Sequence, residues 1–319
     1  MTRPPRVRTV LGDIEPRQLG PTDYHEHLFQ ATRLLPGEDL DDEQASTAEA
    51  LSIRQAGASA IVEATPTGLG RRPSAVARAA AATGLHVIHT TGAHREAHYG
   101  TTHPLLQEES KDLRSRFTRD LFVGMTDDNG DLAWAPDGSP VLAGLLKIGI
   151  GYWSVTDFER RVAEVVGEIS GEFGTPVMVH LEHGSAAHEI LDLLVQHGCP
   201  PQNVALAHID RNLDPGLMLE LTARGALLGF DGPARHQRWP DSMLLECIST
   251  VVTGGGGGNI LLGGDVARRS RYLAYGGMPG LRYLFDRFVP RLRNEVGDQI
   301  TDQILVDNPA RWLTWSPAE

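Results

Sequence analysis

The chain has 319 residues, 41% of them hydrophobic and 6% aromatic, which is enough to bury one large barrel or two small domains. A formal net charge of −12 excludes nucleic acid or an anionic membrane surface as the main partner, so a small molecule is the expected one. Two cysteines, Cys199 and Cys247, without CxxC spacing, exclude a disulfide framework, and no run reaches the roughly 18 apolar residues of a membrane span.

In chain order, three arginines in the first eight residues are followed by no apolar segment, so no secretory signal is read there and a cytoplasmic protein is expected. VRTVLG (7–12) reads as a hairpin arm and TDYHEHL (22–28) as a first barrel strand. Strand-like runs then recur at SAIVEAT (59–65), LHVIHTTG (85–92), GLLKIGI (144–150), PVMVHL (176–181), NVALAHI (203–209), GALLGFD (225–231) and NILLGGD (259–265). Helical patterns lie between them, among them DFERRVAEVVGEIS (157–170) and AAHEILDLLVQHG (186–198), the latter ending in the C-cap glycine Gly198. Strands alternating with helices predict a parallel sheet, and eight such units predict an α/β fold of the (β/α)8 TIM-barrel type. It is expected as a single domain over 1–319 with a short N-terminal β-hairpin. The polar stretch 94–141 is expected as a loop excursion on the active-site face. Gly254–Gly258 looks like a phosphate cradle, but it precedes a strand and lacks a following Lys-Ser/Thr. It is expected as a flexible loop on the inert face.

His25 and His27 stand two residues apart, hence on one face of a strand. Lys147 to His180 is 33 positions, His180 to His208 is 28, and His208 to Asp265 is 57, two units with one strand between. One βαβ step takes about 30 residues, so these four fall at the C-terminal ends of strands four, five, six and eight, where this architecture places its chemistry. A lone histidine is more often a satisfied core or surface imidazole; agreement in phase across five strands points to metal ligands. Lys147 lies inside an apolar run, where an unpaired ammonium is costly. Either it pairs with a carboxylate, or it is carboxylated by CO2, a reaction of the neutral amine that burial favours.

TDYHEHL, the buried Lys147, VHLEHG, LAHIDRN and LLGGDVARRS resemble the phosphotriesterase family of the amidohydrolase superfamily, across essentially the whole chain. The resemblance implies two divalent metal ions, one held by His25, His27 and Asp265 and the other by His180 and His208. Carboxylated Lys147 and a hydroxide would bridge them. Nitrogen and oxygen donors suit zinc, with manganese or cobalt able to substitute. The bridging hydroxide would attack the substrate while Asp265 accepts its proton and passes it to the leaving group.

HIDRN (208–212), FDGPARHQRWPDS (230–242), GGDVARRSRYLAYGG (263–277) and DNPARWL (307–313) resemble the subgroup that hydrolyses phosphorylated sugar lactones. There a basic residue after strand seven and an Arg and a Tyr after strand eight hold the phosphate. Arg268 matches that Arg, whereas Gln237 stands at the Lys position and Arg271 at the Tyr position. Phosphotriesterases proper carry Asp and His where this chain has Arg211 and Gly232, which departs from organophosphate hydrolysis.

The expected activity is the opening of a lactone of an anionic or phosphorylated sugar. Alternatives are a phosphotriesterase or arylesterase, an amide hydrolase using the same site, and a non-catalytic binding protein on a degenerate barrel, against which the complete ligand set argues. Arg235, Arg238, Arg268, Arg269 and Arg271 form a basic concentration suited to an anion. Arg235, Arg238, Arg268, Arg271, Gln237, His94 and Tyr99 are expected to meet the substrate. Asp210 and Asp231 are expected to orient ligands or arginines from behind. His183 and His188 are expected to be solvated or capping, and no role is read for His86, His89, His98, His103, His197 or His236. Homodimers are usual in the resembling family.

Overall fold

In the computed structural model, residues 5–315 are described; the ends of the expected 1–319 domain lie outside them. An antiparallel hairpin comes first, β1 (Val7–Thr9) and β2 (Gly12–Ile14), with Val7 opposite Ile14. Eight parallel strands follow, each paired with its sequence neighbour: β3 (Thr22–Glu26), β4 (Ala60–Glu63), β5 (His86–Gly92), β6 (Leu145–Ile150), β7 (Val177–Leu181), β8 (Val204–Ala207), β9 (Leu227–Phe230) and β10 (Ile260–Leu262). Asp265 N–H donates to the His25 carbonyl at 2.9 Å across the seam between β10 and β3. Beside that bond, Asp23 accepts from Gly264 N–H at 3.3 Å and Glu26 from Val266 N–H at 3.0 Å, so carboxylates stand in for ladder partners where the barrel closes. The expected (β/α)8 barrel with its hairpin is therefore what forms.

The outer layer consists of α1 (Glu43–Ala56), α2 (Pro73–Thr83), α3 (Ser110–Phe122), α4 (Asp157–Phe173), α5 (Ala187–Gln196), α6 (Pro215–Ala223), α7 (Asp241–Thr253) and α8 (Val289–Val296), followed by the short α9 (Asp298–Asp302) and α10 (Asn308–Leu313). Local sequence explains the best-defined of these. Thr156 and Glu159 form a reciprocal capping box at the start of α4, Gly174 ends it in the left-handed region at φ 67°, and Phe158, Val162, Val166 and Ile169 bury one stripe. Gly198, at φ 93°, lies just past the end of α5, where a left-handed residue closes a helix.

Two expectations are corrected. Residues 94–141 are not all loop, because α3 lies within them with Leu113, Phe117 and Leu121 spaced four apart and buried. Its other positions are mostly charged, and that composition masks the narrow apolar stripe. Gly254–Gly258 is not an open flexible loop either. Gly256 and Gly257 are buried in a tight turn, and a Cβ on Gly256 would lie 2.7 Å from Val251 Cγ1.

Inside the barrel, Ala60, Val62, Ile88, Leu145, Met178, Ala205, Leu227 and Leu261 pack together, plugged from below by Val7, Leu19, Trp312 and Leu313. The Trp312 indole N–H donates to the Asn203 carbonyl at 3.0 Å. The hairpin and α10 thus seal one end, and only the C-terminal ends of the strands are left to carry a site. Among the described residues, no helix is long and apolar enough to cross a membrane.

Candidate active site and metal centre

β3 is irregular: its register against β4 shifts between Asp23 and Glu26. In a regular strand, neighbours point to opposite faces, but here both Tyr24 and His25 reach Asp231 inside the barrel. Tyr24 donates its hydroxyl to Asp231 Oδ2 at 2.6 Å, and His25 Nδ1 contacts the same oxygen at 3.2 Å. Gly229 makes room for that hydroxyl, since a Cβ there would collide with it. Asp231 also takes His208, whose Nδ1 lies 2.6 Å from Oδ1 and whose backbone N–H lies 3.1 Å from Oδ2. One carboxylate therefore sets the orientation of two imidazoles, with each Nδ1 as donor, and the Nε2 of His25 is turned to the other side.

On that other side stands Asp265, with Oδ1 3.7 Å from His25 Nε2 and 3.5 Å from His27 Nε2. His27 is fixed through Nδ1 by the Thr65 hydroxyl at 2.7 Å. The ligating atoms of His25, His27 and Asp265 lie within 4.8 Å of one another, as do those of His25, His208 and Asp231. His180 joins from β7, its ring centroid 4.5 Å from that of His208 and its Nε2 3.1 Å from Glu182. His208 and Asp265 lie beyond the ends of their strands at φ 64° and 43°. Left-handed backbone costs about 1–3 kcal/mol at such residues and persists where surrounding contacts over-determine it.

Lys147 is the third residue of β6 rather than its end, fully buried, with Nζ donating to the Ala64 carbonyl at 2.8 Å. Burial pushes its pKa down to about 8, against the pull of Asp265, Glu63 and Asp231. Burial likewise pushes His27 and His208 down to about 3, so both are neutral with a lone pair to offer. Burial alone would raise the two carboxyls. Instead His208 and His25 hold Asp231, and Arg235 and His25 hold Asp265, well below the ordinary carboxylate range. Asp210 is pushed up to about 8 by burial and then by the charge of Asp231. Its Oδ2 accepts the N–H groups of Asp231 (3.0 Å) and Gly232 (2.7 Å), so it shapes the chain behind the histidines.

The residues expected to meet substrate divide. Arg235 is turned into the cluster, where its guanidinium bonds the Asp265 carboxylate and carbonyl, and Arg211 approaches the same carboxylate at 3.4 Å. Arg271 reaches the Ala234 carbonyl at 3.5 Å, while Arg268 and Gln237 are exposed. Arg238 contacts His183 Nδ1 at 2.7 Å. Arg269 departs from the basic concentration, lying 3.6 Å from Asp41 and over the Tyr275 ring. Tyr99 also departs from expectation. It is buried, with its hydroxyl donating to the Thr67 carbonyl and accepting the His94 N–H, both at 2.9 Å, so it braces the loop. His94 sits between His98 (centroids 3.8 Å apart) and His180 (4.4 Å). His188 contacts Glu220 and Arg224 at the surface. Sequence reasoning gave no part to Tyr24, Thr65, Glu182 or His98. Thr65 alone had a signal, since it closes a strand run at the same end as the candidate ligands.

A parallel barrel whose open end gathers neutral imidazoles around ionised carboxylates places the chain among metal-dependent hydrolases. It belongs to the phosphotriesterase family, whose model matches residues 5–313. It is 31% identical to a phospho-furanose lactonase of Mycoplasmopsis synoviae, over 97% of this chain and 92% of that one. It is 27% identical to an N-acetyltaurine hydrolase of Danio rerio, over 97% and 98%. The crystal structure of a lactonase from Listeria monocytogenes superposes with a TM-score of 0.87 at 29% identity, covering 98% of this chain and 99% of that one.

Proposed function

We propose that the protein opens a lactone of an anionic, sugar-derived substrate at a centre of two divalent metal ions. The observation that carries this reading is His25: its Nδ1 is committed to Asp231, while its Nε2 is buried without a hydrogen-bond partner and faces Asp265. A buried unpaired imidazole nitrogen beside an ionised carboxylate fits a cation. His25, His27 and Asp265 would hold one ion and His180 with His208 the other. Lys147 would lie between them once its neutral amine has attacked CO2, forming an N–C bond, losing a proton and becoming a carbamate. The ions, zinc by donor chemistry with manganese or cobalt as substitutes, supply Lewis-acid polarisation of the ester carbonyl and a water of lowered pKa.

The chain's own residues do the rest. Asp265 accepts the proton of the attacking water and hands it to the departing alkoxide, which stays tethered in the ring-opened hydroxy acid. Asp231 holds His25 and His208 through their Nδ1 atoms, which leaves the Nε2 of His25 pointed at Asp265. The arginines at the mouth meet the anionic part of the substrate, in keeping with relatives named as phospho-furanose lactonases.

A second reading is amide hydrolysis, favoured by the N-acetyltaurine hydrolases among the relatives. The deciding experiment is hydrolysis by the zinc-loaded enzyme, read as proton release for a phosphorylated pentonolactone and its dephosphorylated counterpart and as free-amine formation for N-acetyltaurine, because an amide yields carboxylate and ammonium with no net proton. Rapid turnover of the phosphorylated lactone is expected; turnover of the amide with none of either lactone would replace the first reading by the second.

A further inference from the structure

The arginines singled out in the sequence follow the seventh and eighth barrel strands, but a cavity of about 500 Å³ opens elsewhere at the mouth, where the segments after β6, β7 and β8 meet. Its lining includes Tyr152 and Trp153 from the segment after β6, Arg211 and Asn212 from the segment after β8, and Arg238 from the segment after β9. Tyr152 and Trp153 are 61% and 64% exposed, side by side on the short connection between β6 and α4. Two large aromatics left in water at a cavity edge point to a partner that covers them.

The connection is held in place. Trp153 donates its N–H to Ser185 Oγ at 3.1 Å, and that hydroxyl donates to the Glu182 carbonyl at 2.7 Å. Six non-glycine residues have left-handed backbone among the described residues. Three of them, Trp153, His183 and Ala186, line this groove, and two more are His208 and Asp265. Strain of this kind concentrates where a shape is required for binding. The groove shares it with the candidate ligands and with no floor residue of the barrel.

Charge and reach agree. Arg211, which lines the groove, places Nη2 3.4 Å from Asp265 Oδ2, so the lining reaches the candidate reacting centre. Arg238 adds a second guanidinium, held against His183. The first turn of α5 lines the same space, and α5 starts on Ala186 without a side-chain cap. Among the described residues, Glu189 is the one carboxylate in the lining. Guanidinium forks match phosphate and carboxylate oxygens, and an indole face accepts a ring.

We propose that this groove is a second substrate subsite, which holds an anionic group on Arg238 and Arg211 and the ring that carries it on Trp153. The ligand class is a ring-bearing phosphate or carboxylate. The proposal rests on the lactone-hydrolase reading only for the bond that reacts, since binding needs no turnover.

The test is equilibrium titration of the zinc-loaded protein with ribose 5-phosphate, phenyl phosphate and ribose, followed by tryptophan fluorescence. Trp153→Phe assigns the signal among the five tryptophans. Saturable quenching by at least one phosphate and none by ribose is expected. Preference between the two phosphates tells a sugar ring from an aryl ring. Arg238→Met is expected to weaken binding about 10- to 100-fold, the loss of one charge-assisted pair, while Arg269→Met leaves it within about twofold. No saturable quenching by either phosphate, or weakening by Arg268→Met with Arg238→Met silent, overturns the proposal. Phosphate binding here without lactone turnover would sink the reaction and keep the groove. Lactone turnover with KM unmoved by Arg238→Met would keep the reaction and sink the groove.

Discussion

At the sealed end of the barrel the inward side chains are Ala60, Val62, Ile88, Leu145 and Met178, closed over by Val7, Leu19 and Trp312. Farther toward the open end stand His25, Lys147 and His180 within their strands and His208 and Asp265 just past theirs. The floor gains stability simply by taking apolar area out of water. The mouth accumulates the opposite: the buried carboxylates of Asp231 and Asp265 held ionised, the His27 and His208 imidazoles held neutral, and left-handed backbone at His208 and Asp265. The contrast shows a division of labour along each strand, in which the apolar half offsets the cost of the polar half.

The largest expected effect breaks the mouth alone. Stripping divalent ions with a chelator is expected to reduce turnover to background, with zinc restoring it and circular dichroism unchanged. A loss of helical signal on chelation would mean that the two ends are not separable. Next in size, Asp265→Asn is expected to lower kcat by about 10²- to 10⁴-fold, the usual weight of a proton-transfer group, with metal content largely kept. Near-native kcat would remove Asp265 from that role.

The comparison is sharpened from the other side by Trp312→Ala, which truncates the floor. A loss of about 3–5 kcal/mol is expected in denaturant unfolding, with kcat of the folded enzyme little changed. A proportionate fall in kcat would show strain passing from floor to mouth. Tyr24→Phe tests the junction between them. Removing the hydroxyl from Asp231 is expected to cost about 1–3 kcal/mol of stability and to move kcat less than Asp265→Asn does.

The smallest effect is a null result in the barrel wall. Burial pushes Cys199 and Cys247 up to about 12, so at pH 8 only about one thiol in 10⁴ is ionised. Native protein is expected to resist a thiol reagent at that pH and to react at both cysteines once unfolded.

Much of this was legible in the chain. The spacing of Lys147, His180, His208 and Asp265 pointed to the barrel before any contact was known, because strand and helix periods are local and repeat. α3 escaped notice because three buried apolar residues among ten others leave little compositional trace. Tyr24 escaped because alternation assigns it to the face opposite His25, and only the register shift in β3 brings both inward. Tyr99 and Arg235 were placed by chain position near the mouth, but a hydroxyl bonded to two backbone groups and a guanidinium drawn to Asp265 are outcomes of packing and charge.

What the sequence by itself determined is the order of strands and helices and the kind of side chain at each strand's end, since both follow from periodicity and composition along one dimension. The tertiary structure decided which group faces which. Asp231 meets His25 across 206 positions of chain and His208 across 23, and Tyr24 joins them from 207 away. The two longest close only when the barrel returns to β3, so the contacts of Asp231 with His25 and Tyr24, and of Asp265 with His25 and His27, exist only in the closed barrel, whereas the groove beside Trp153 needs only the neighbouring strands β6 to β9.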